Sequence, residues 1–216
     1  MAGCRPEPAR PSSSVVACLG APVWQARAAM STPATSAPLV LPEQFTTARL
    51  QARPARVADA AEIFAAYAAD PEVTRYLSWR YHATVATVEQ FLGLLENAWA
   101  TGTGHRGYVL RLRSTGEVVG SIGLEQKGAA VMFGYVLGKK YWGKGYMAEA
   151  LVHLVDWSLA QPGIYRAWAF CDVDNPGSAR VMEKAGMTLE GRLRRWHVCP
   201  SIGGEPRDCA VYARVR

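Results

Sequence analysis

The chain has 216 residues, half of them apolar, a formal charge of +6 and an isoelectric point near 9.2. This length allows one or two domains with a substantial core. The sequence has no apolar run of about 18 residues, which a membrane span would need. Its five cysteines are odd in number and lack Cys-x-x-Cys spacing, which disfavours a disulfide framework and a zinc site.

The net positive charge suits an anionic ligand, and it would equally suit RNA. The sequence contains no long block of like charges and no groove-reading motif, so a nucleic-acid partner is disfavoured. The cysteine pattern indicates a reducing compartment. We therefore predict a cytoplasmic protein that spans no membrane and binds no metal.

Residues 1–44 are rich in alanine, proline, serine and arginine. The spacing of the prolines prevents a continuous amphipathic helix, so the composition predicts a disordered extension before a single domain over residues 45–216. Two alternatives stay open. The segment is a targeting sequence of signal or transit type, or the natural start is Met30 and residues 1–29 are a mis-assigned extension.

In the first half of the domain, the apolar pattern predicts a strand and two long helices. The strand covers residues 47–54 and the first helix covers 57–69. Asp70 and Pro71 predict the start of a short helix, as its cap and first position. The second long helix covers 87–99, and its predicted buried face consists of Phe91, Leu94, Leu95 and Trp99.

Strands predominate in the second half. Alternating residues predict strands over 107–113 and 118–124, joined by a hairpin turn that contains Gly116. The other predicted elements, in chain order, are a strand over 130–137, a helix over 147–159, a strand over 165–171, a helix over 176–185 that ends before Gly186, and strands near 188–195 and 208–215.

Residues 138–149 join a buried strand to a helix through a turn with the features of an anion site. The first turn of a helix offers backbone N–H groups that have no intrahelical partner. Gly143 and Gly145 let a ligand approach the backbone, and lysines at positions 139, 140 and 144 add positive charge. The stretch predicts a cradle for a diphosphate, although it lacks the endings of a P-loop and of a dinucleotide fingerprint.

The same stretch resembles a known family. Residues 140–145 resemble the Arg/Gln-x-x-Gly-x-Gly/Ala acyl-CoA loop of the GNAT acetyltransferases, with Lys140 where the family usually has arginine or glutamine. Residues 141–150 resemble the RimJ/RimL group of that family. The resemblance extends over residues 45–216 and includes Thr-Ala-Arg-Leu at 47–50, Asp-Pro-Glu-Val at 70–73 and Gly-Glu-Pro-Arg-Asp at 204–208.

The resemblance implies an α+β fold, a single acyl-CoA N-acyltransferase domain whose strongly twisted, mostly antiparallel mixed sheet is flanked by helices. It implies acetyl-CoA as the co-substrate and no metal. Backbone N–H groups of the cradle would hold the pyrophosphate, and those near the end of the preceding strand would polarise the thioester carbonyl. The implied co-substrate-binding residues are Val136, Leu137, Lys140, Trp142, Gly143, Lys144, Gly145, Asn175 and Ser178.

The resemblance also suggests an acid for the leaving CoA thiolate. Many family members have a tyrosine at the position of Met182, and methionine cannot donate a proton. Ser178 is the candidate acid instead, and a helix-surface serine is the alternative interpretation. Asn175 likewise has two compatible interpretations, because asparagine followed by proline is a favourable helix cap.

The general base has several candidates. Some members of the group have a glutamate where this chain has His197, and histidine can accept a proton near neutral pH. Glu125, at the end of a strand, is a second candidate, with a surface ion pair as its alternative. Glu149 is expected to stabilise the start of its helix. Deprotonation relayed by water, without a dedicated base, is also open.

Taken together, the resemblance implies an N-acetyltransferase that moves an acetyl group from acetyl-CoA directly to a primary amine. The expected acceptor is a protein N-terminal α-amine, for example that of a ribosomal protein. The alternatives are a small-molecule acetyltransferase acting on an antibiotic or polyamine, and a catalytically silent acyl-CoA-binding module, which Met182 would suit. The expected assembly is a monomer or a homodimer.

Overall fold

The computed structural model describes residues 37–216, so the hypotheses about residues 1–29 lie outside the described part of the chain. The strands are β1 (Phe45–Thr46), β2 (Leu50–Pro54), β3 (Arg106–Leu112), β4 (Val118–Lys127), β5 (Ala130–Leu137), β6 (Arg166–Asp172), β7 (Thr188–Val198) and β8 (Pro206–Val215). The α-helices are α1 (Ala60–Ile63), α2 (Val85–Thr101), α3 (Tyr146–Ala160) and α4 (Pro176–Lys184).

The strands form a single sheet in the order β1-β2-β3-β4-β5-β6-β8-β7. Neighbouring strands of the described chain are antiparallel except β5 and β6, which run parallel. That parallel pairing joins residues 130–132 to residues 166–168 and goes no further. Beyond Met132 and Trp168 the two strands part, so the sheet opens between β5 and β6. The mixed, mostly antiparallel sheet expected from the resemblance is confirmed.

Helices cover both faces of this sheet. On one face, α3 and α4 pack through a large core that includes Leu151, Leu154 and Met182. On the other face, α1 and α2 pack through a smaller core that includes Ile63 and Val88. We call these the α3 face and the α2 face. Within residues 37–216, no helix is long and apolar enough to span a lipid bilayer.

The first predicted helix is present but irregular. A 3₁₀ turn (Val57–Asp59) leads into α1, and a π turn (Phe64–Ala68) follows it. The short helix predicted to start at Asp70 is wrong, because the chain makes turns there. The Asp70 carboxylate accepts the N–H groups of Glu72 and Val73, at 2.8 and 3.3 Å. The capping chemistry is used, but it closes a turn of the kind that aspartate also favours.

The predicted buried face of α2 is partly wrong. Its buried residues are Val88, Leu92 and Leu95, whereas Phe91 and Leu94 are 41% and 69% exposed. Apolar residues occur on both sides of this helix, so a 3.6-residue period can be drawn through either set. The position of α2 against the sheet selects the set.

Residues 37–44 contact the core of the domain, which corrects the disorder predicted for these residues. Leu39 and Leu41 are buried in the large core. The Leu39 N–H donates to Gln126 Oε1 at 2.7 Å, and the Leu39 carbonyl accepts from the buried Arg106 guanidinium at 2.9 Å. Prolines prevent a helix here, but they permit an extended segment that lies on the core.

We expect Leu41→Ala to lower the free energy of unfolding by about 2–5 kcal/mol, because it leaves a cavity in the core. Leu94→Ala is the matched control, since Leu94 is largely exposed, and it should change stability by less than about 0.5 kcal/mol. Urea denaturation of the two variants measures both values. Equal free energies of unfolding for Leu41→Ala and Leu94→Ala would mean that residues 37–44 add nothing to the core.

Candidate active site

The chain between β5 and α3 forms an exposed loop with two left-handed glycines. A 3₁₀ turn (Lys139–Tyr141) leads to Gly143 and Gly145, whose φ angles are +74° and +79°. A side chain would be strained at either position. Gly145 is the N-cap of α3 and provides no side chain to cap its first turn. The free N–H groups of that turn are therefore available to an anionic ligand.

Space for such a ligand exists beside Gly143. A Cβ atom built there would have no described atom within 4 Å. The Trp142 indole closes the loop on its strand, because its Nε1–H donates to the Leu137 carbonyl at 2.7 Å. The loop is thus anchored to its strand, and its backbone at Gly143 is open to the approach of a ligand.

Arg49 stabilises the loop through contacts with the start of α3. Its guanidinium donates to the Lys144 carbonyl at 2.9 Å, forms an ion pair with Glu149 at 2.6 Å and lies 4.5 Å from the centre of the Tyr146 ring. The Thr47 hydroxyl and the Arg49 N–H also donate to Glu149. The Thr-Ala-Arg-Leu motif and Glu149, separated by about a hundred residues, therefore form one support for the cradle.

These contacts define the role of Glu149. Burial alone would raise its pKa, but the hydrogen bonds from Thr47 and Arg49 outweigh this effect and lower it. A carboxylate held ionised in this way is a poor proton acceptor, in line with the structural role predicted for it.

The lysines of the loop are less free than the sequence suggested. Lys139 pairs with Glu72, and Lys140 pairs with Glu117 at 3.1 Å. Among the described residues, Lys144 forms no ion pair. All four partners of the two pairs are about half exposed or more, so water and salt screen the attraction between them and the pairs are weak. A bound phosphate can therefore displace the carboxylates.

The opening between β5 and β6 lies next to this loop. Val136 and Leu137 belong to the part of β5 that pairs with β4 on one side and has left β6 on the other. A side chain of β5 contacts α4 beside this opening. The Tyr135 hydroxyl lies 2.9 Å from the Ser178 Oγ and donates to the Ser178 carbonyl at 3.2 Å.

Asn175 and Ser178 meet at the start of α4. The Asn175 side chain accepts the Ser178 N–H at 3.1 Å, so its predicted capping role is confirmed. Its contact with the co-substrate stays a prediction. Met182, where the family usually has tyrosine, is fully buried in the core. Tyr135, which the sequence did not single out, supplies a phenolic hydroxyl to the same region from the opposite strand.

The turn between β6 and α4 is held by Arg207. Its guanidinium bonds to the buried Asp172 carboxylate and to Asp174 at 2.7 Å. Burial would raise the pKa of Asp172, but the hydrogen bonds from Arg207 lower it. The motif at residues 204–208 therefore contributes the residue that fixes the approach to Asn175.

The family model for the GNAT acetyltransferase domain matches residues 49–188, which is more than half of the chain and includes the loop, β5 and Ser178. The chain belongs to the GNAT acetyltransferases. This acetyltransferase is 28% identical over 155 residues to the N-acetyltransferase p20 of Bacillus licheniformis, an alignment that covers 70% of this chain and 86% of p20.

Solved structures show the same fold. The GNAT-family acetyltransferase from Bacillus anthracis matches with a TM-score of 0.69 at 25% identity, over 80% of this chain and 98% of the other. RimL, a ribosomal L7/L12 α-N-protein acetyltransferase solved with coenzyme A, matches with a TM-score of 0.71 at 21% identity, over 80% and 98%. The self-immunity acetyltransferase MccE, solved with acetyl-CoA and AMP, matches with a TM-score of 0.73 at 18% identity, over 82% and 98%.

The two predicted bases of the acetyltransferase lie away from Ser178. Ser178 belongs to α4 on the α3 face. His197 packs against Phe170, with 5.1 Å between ring centres, after an irregularity in the pairing of β7 and β8. Phe170 alternates with Ala169 and Cys171, which face the α3 core, so Phe170 and His197 belong to the α2 face. Glu125 forms an ion pair with Lys127 at 3.4 Å, which is the alternative considered for it.

The residues present fit acetyl-CoA. The cradle offers backbone N–H groups and open backbone at Gly143 for a diphosphate, and β5, which leads into it, is no longer paired with β6 beyond Met132. Residues 37–216 contain no group of three or more histidine, cysteine or acidic side chains arranged to hold a metal ion.

Proposed function

We propose that this acetyltransferase transfers the acetyl group of acetyl-CoA directly to a protein N-terminal α-amine. The observation that carries the proposal is the opening between β5 and β6 beside the loop at Gly143 and Gly145. A thioester that enters the opening would have Ser178 on one face and the amine on the other. Acetyl-CoA supplies the activated acetyl group.

In this proposal each predicted residue has a place along the co-substrate. Backbone groups at Gly143 and Gly145, with Lys144, hold the phosphates, and Lys140 and Trp142 flank them. N–H groups of Val136 and Leu137 polarise the thioester carbonyl. Asn175 orients the start of α4, and the Ser178 hydroxyl gives its proton to the departing thiolate.

Direct transfer is favoured over an acetylated enzyme. Cys171 is the thiol next to Ser178 in this region, and burial raises its pKa to about 11 despite a hydrogen bond from Ser178. A thiol with such a pKa is almost entirely protonated near neutral pH and is a poor nucleophile. The amine itself is then the group that attacks the thioester.

An α-amine suits this site better than a lysine side chain. A peptide α-amine titrates near 8 and a lysine near 10.4, so neutralising them at pH 7 costs about 1.4 and about 4.6 kcal/mol. RimL and the ribosomal-protein-S5-alanine acetyltransferase of Vibrio fischeri, which share the fold, are named for protein substrates. The free thiols of Cys171, Cys199 and Cys209 are compatible with the reducing cytoplasm as the place of action.

A small amine is the second candidate acceptor. The α2 face of β6 presents Trp168 and Phe170, tilted rings 6.4 Å apart, next to His197. Aromatic faces of this kind attract organic cations. MccE, an immunity acetyltransferase, has the same fold.

An acceptor screen by mass spectrometry tests the proposal. The full chain is incubated with acetyl-CoA, spermidine and peptides that begin with Ala, Ser, Thr or Met, each with a matched peptide that carries a blocked N-terminus and an internal lysine. We expect acetylation of the free α-amines alone. Preferential acetylation of spermidine or lysine would refute the α-amine as acceptor, and no acetylation of any amine would support a silent acyl-CoA-binding module.

A further inference from the structure

The His105 imidazole packs on a seat formed by two paired glycines, Gly123 and Gly134. A Cβ atom at Gly123 would be 2.2 Å from the His105 Nε2 and 2.6 Å from its Cε1, so a side chain at position 123 would force the imidazole to move. Gly123 pairs with Gly134 across β4 and β5, and a Cβ at Gly134 would be 3.8 Å from the same ring. The imidazole therefore occupies the volume that side chains would otherwise fill at this point of the sheet.

This seat is next to the opening in the sheet. Gly134 is the next residue of β5 on its face after Met132, the last one paired with β6. Gly123 alternates with Ile122 and Leu124, which belong to the α3 core, so Gly123 and His105 lie on the α2 face. Phe170, two residues beyond the last paired residue of β6, borders the opening on that face from the other arm of the sheet, and His197 packs against it. His105 on the β4–β5 side and Phe170 on the β6 side therefore lie on the same face of the sheet.

The surroundings of His105 suit a proton acceptor. Burial lowers its pKa, and the nearby Glu125 carboxylate opposes this effect without reversing it. The ring is consequently neutral at pH 7, while Glu125 stabilises the imidazolium once a proton arrives. Glu125, paired with Lys127, is the charged group that acts on His105 from the neighbouring strand.

We propose that His105 is the general base that accepts the proton of the acceptor amine in the reaction proposed above, with Glu125 stabilising the protonated ring. The amine nitrogen forms a bond to the thioester carbonyl carbon as the carbon–sulfur bond breaks. The nitrogen loses its proton to the imidazole, and the thiolate takes a proton from Ser178 or from water. This proposal rests on the proposed function and replaces His197 and Glu125 as the primary base.

The test compares His105→Gln with the parent, using the peptides and spermidine of the acceptor screen. We expect kcat/KM at pH 7 to fall about 100-fold and the Kd for acetyl-CoA to stay unchanged. The ratio of parent to variant should shrink above about pH 8, because the α-amine is then neutral without help. In the parent, activity should show a further decline at a pH below the ordinary histidine pKa of about 6.5, because burial lowers the pKa of His105. The His105→Gln variant should lack this further decline.

His153→Gln is the matched control, since His153 lies on α3 stacked against Phe45 at 4.8 Å, and it should retain the parent rate. A variant His105→Gln with the parent rate and pH profile overturns the proposal, and so does a loss that appears in His197→Gln instead. An equal loss at every pH indicates a merely structural role and also overturns it. If the parent acetylates no amine, the proposed function itself fails, which is a distinct result.

Discussion

Gly143→Asp should weaken acetyl-CoA binding about 100-fold or more. The left-handed backbone at Gly143 disfavours any side chain, and the new carboxylate would occupy the space where phosphate oxygens meet backbone N–H groups. Placing like charges in contact costs several kcal/mol, and each 1.4 kcal/mol is about tenfold in affinity. Calorimetric titration of the folded variant with acetyl-CoA measures the effect.

Two controls separate charge from backbone strain. Gly128→Asp introduces the same side chain at another left-handed glycine, where an added Cβ atom would meet no described atom within 4 Å, in the turn between β4 and β5 at the opposite end of β5. It should bind acetyl-CoA like the parent. Gly143→Ala introduces the backbone strain without the charge, so its affinity for acetyl-CoA should lie between those of Gly143→Asp and Gly128→Asp. Parent-like affinity in Gly143→Asp would show that the co-substrate binds elsewhere.

Ser178→Ala should lower kcat about 10²- to 10⁴-fold, the usual contribution of a general acid, and leave acetyl-CoA affinity nearly intact. Ser178 lies 2.9 Å from the Tyr135 hydroxyl at the opening of the sheet. Without its proton donor, the CoA thiolate leaves as an unstabilised anion. Steady-state kinetics with saturating acetyl-CoA and an acceptor identified in the screen measure kcat.

The acidity of the leaving thiol distinguishes acid catalysis from mispositioning. The loss should shrink with acetyl thioesters of more acidic thiols, because their thiolates need the proton less, whereas mispositioning would slow all donors alike. Ser158→Ala is the control. Ser158 is a buried serine of α3, and its hydroxyl has no hydrogen-bond partner among residues 37–216. The Ser158→Ala variant should keep the parent kcat.

Tyr135→Phe tests how Ser178 is held. If the Tyr135 hydroxyl only orients Ser178, the double variant with Ser178→Ala should be no slower than Ser178→Ala alone, because the two groups act as one unit. Ser178→Ala with the parent kcat would instead make Ser178 a structural residue and leave water as the proton source.

The sequence by itself determined the features that depend on neighbouring residues. The α3 and α4 helices, the hairpin of β3 and β4, and the loop with Gly143 and Gly145 agree with the predictions closely. Periodicity, turn glycines and helix caps act within a few residues, so these elements can be derived from the chain order alone.

The predictions that failed are those in which the local sequence pattern is compatible with two conformations. Asp70 caps a turn in place of a helix, the buried face of α2 excludes Phe91 and Leu94, and Leu39 packs where the prolines suggested disorder. In each case the local pattern was compatible with more than one conformation. Contacts with distant parts of the chain then selected the conformation.

Only the tertiary structure decided how the site is assembled. Arg49 reaches Glu149, Arg207 reaches Asp172, Tyr135 reaches Ser178 and His105 rests on Gly123. No short sequence pattern links these partners. They meet because β6 pairs with β8 and only briefly with β5, and strand order and register are set by the packing of both faces of the sheet at once.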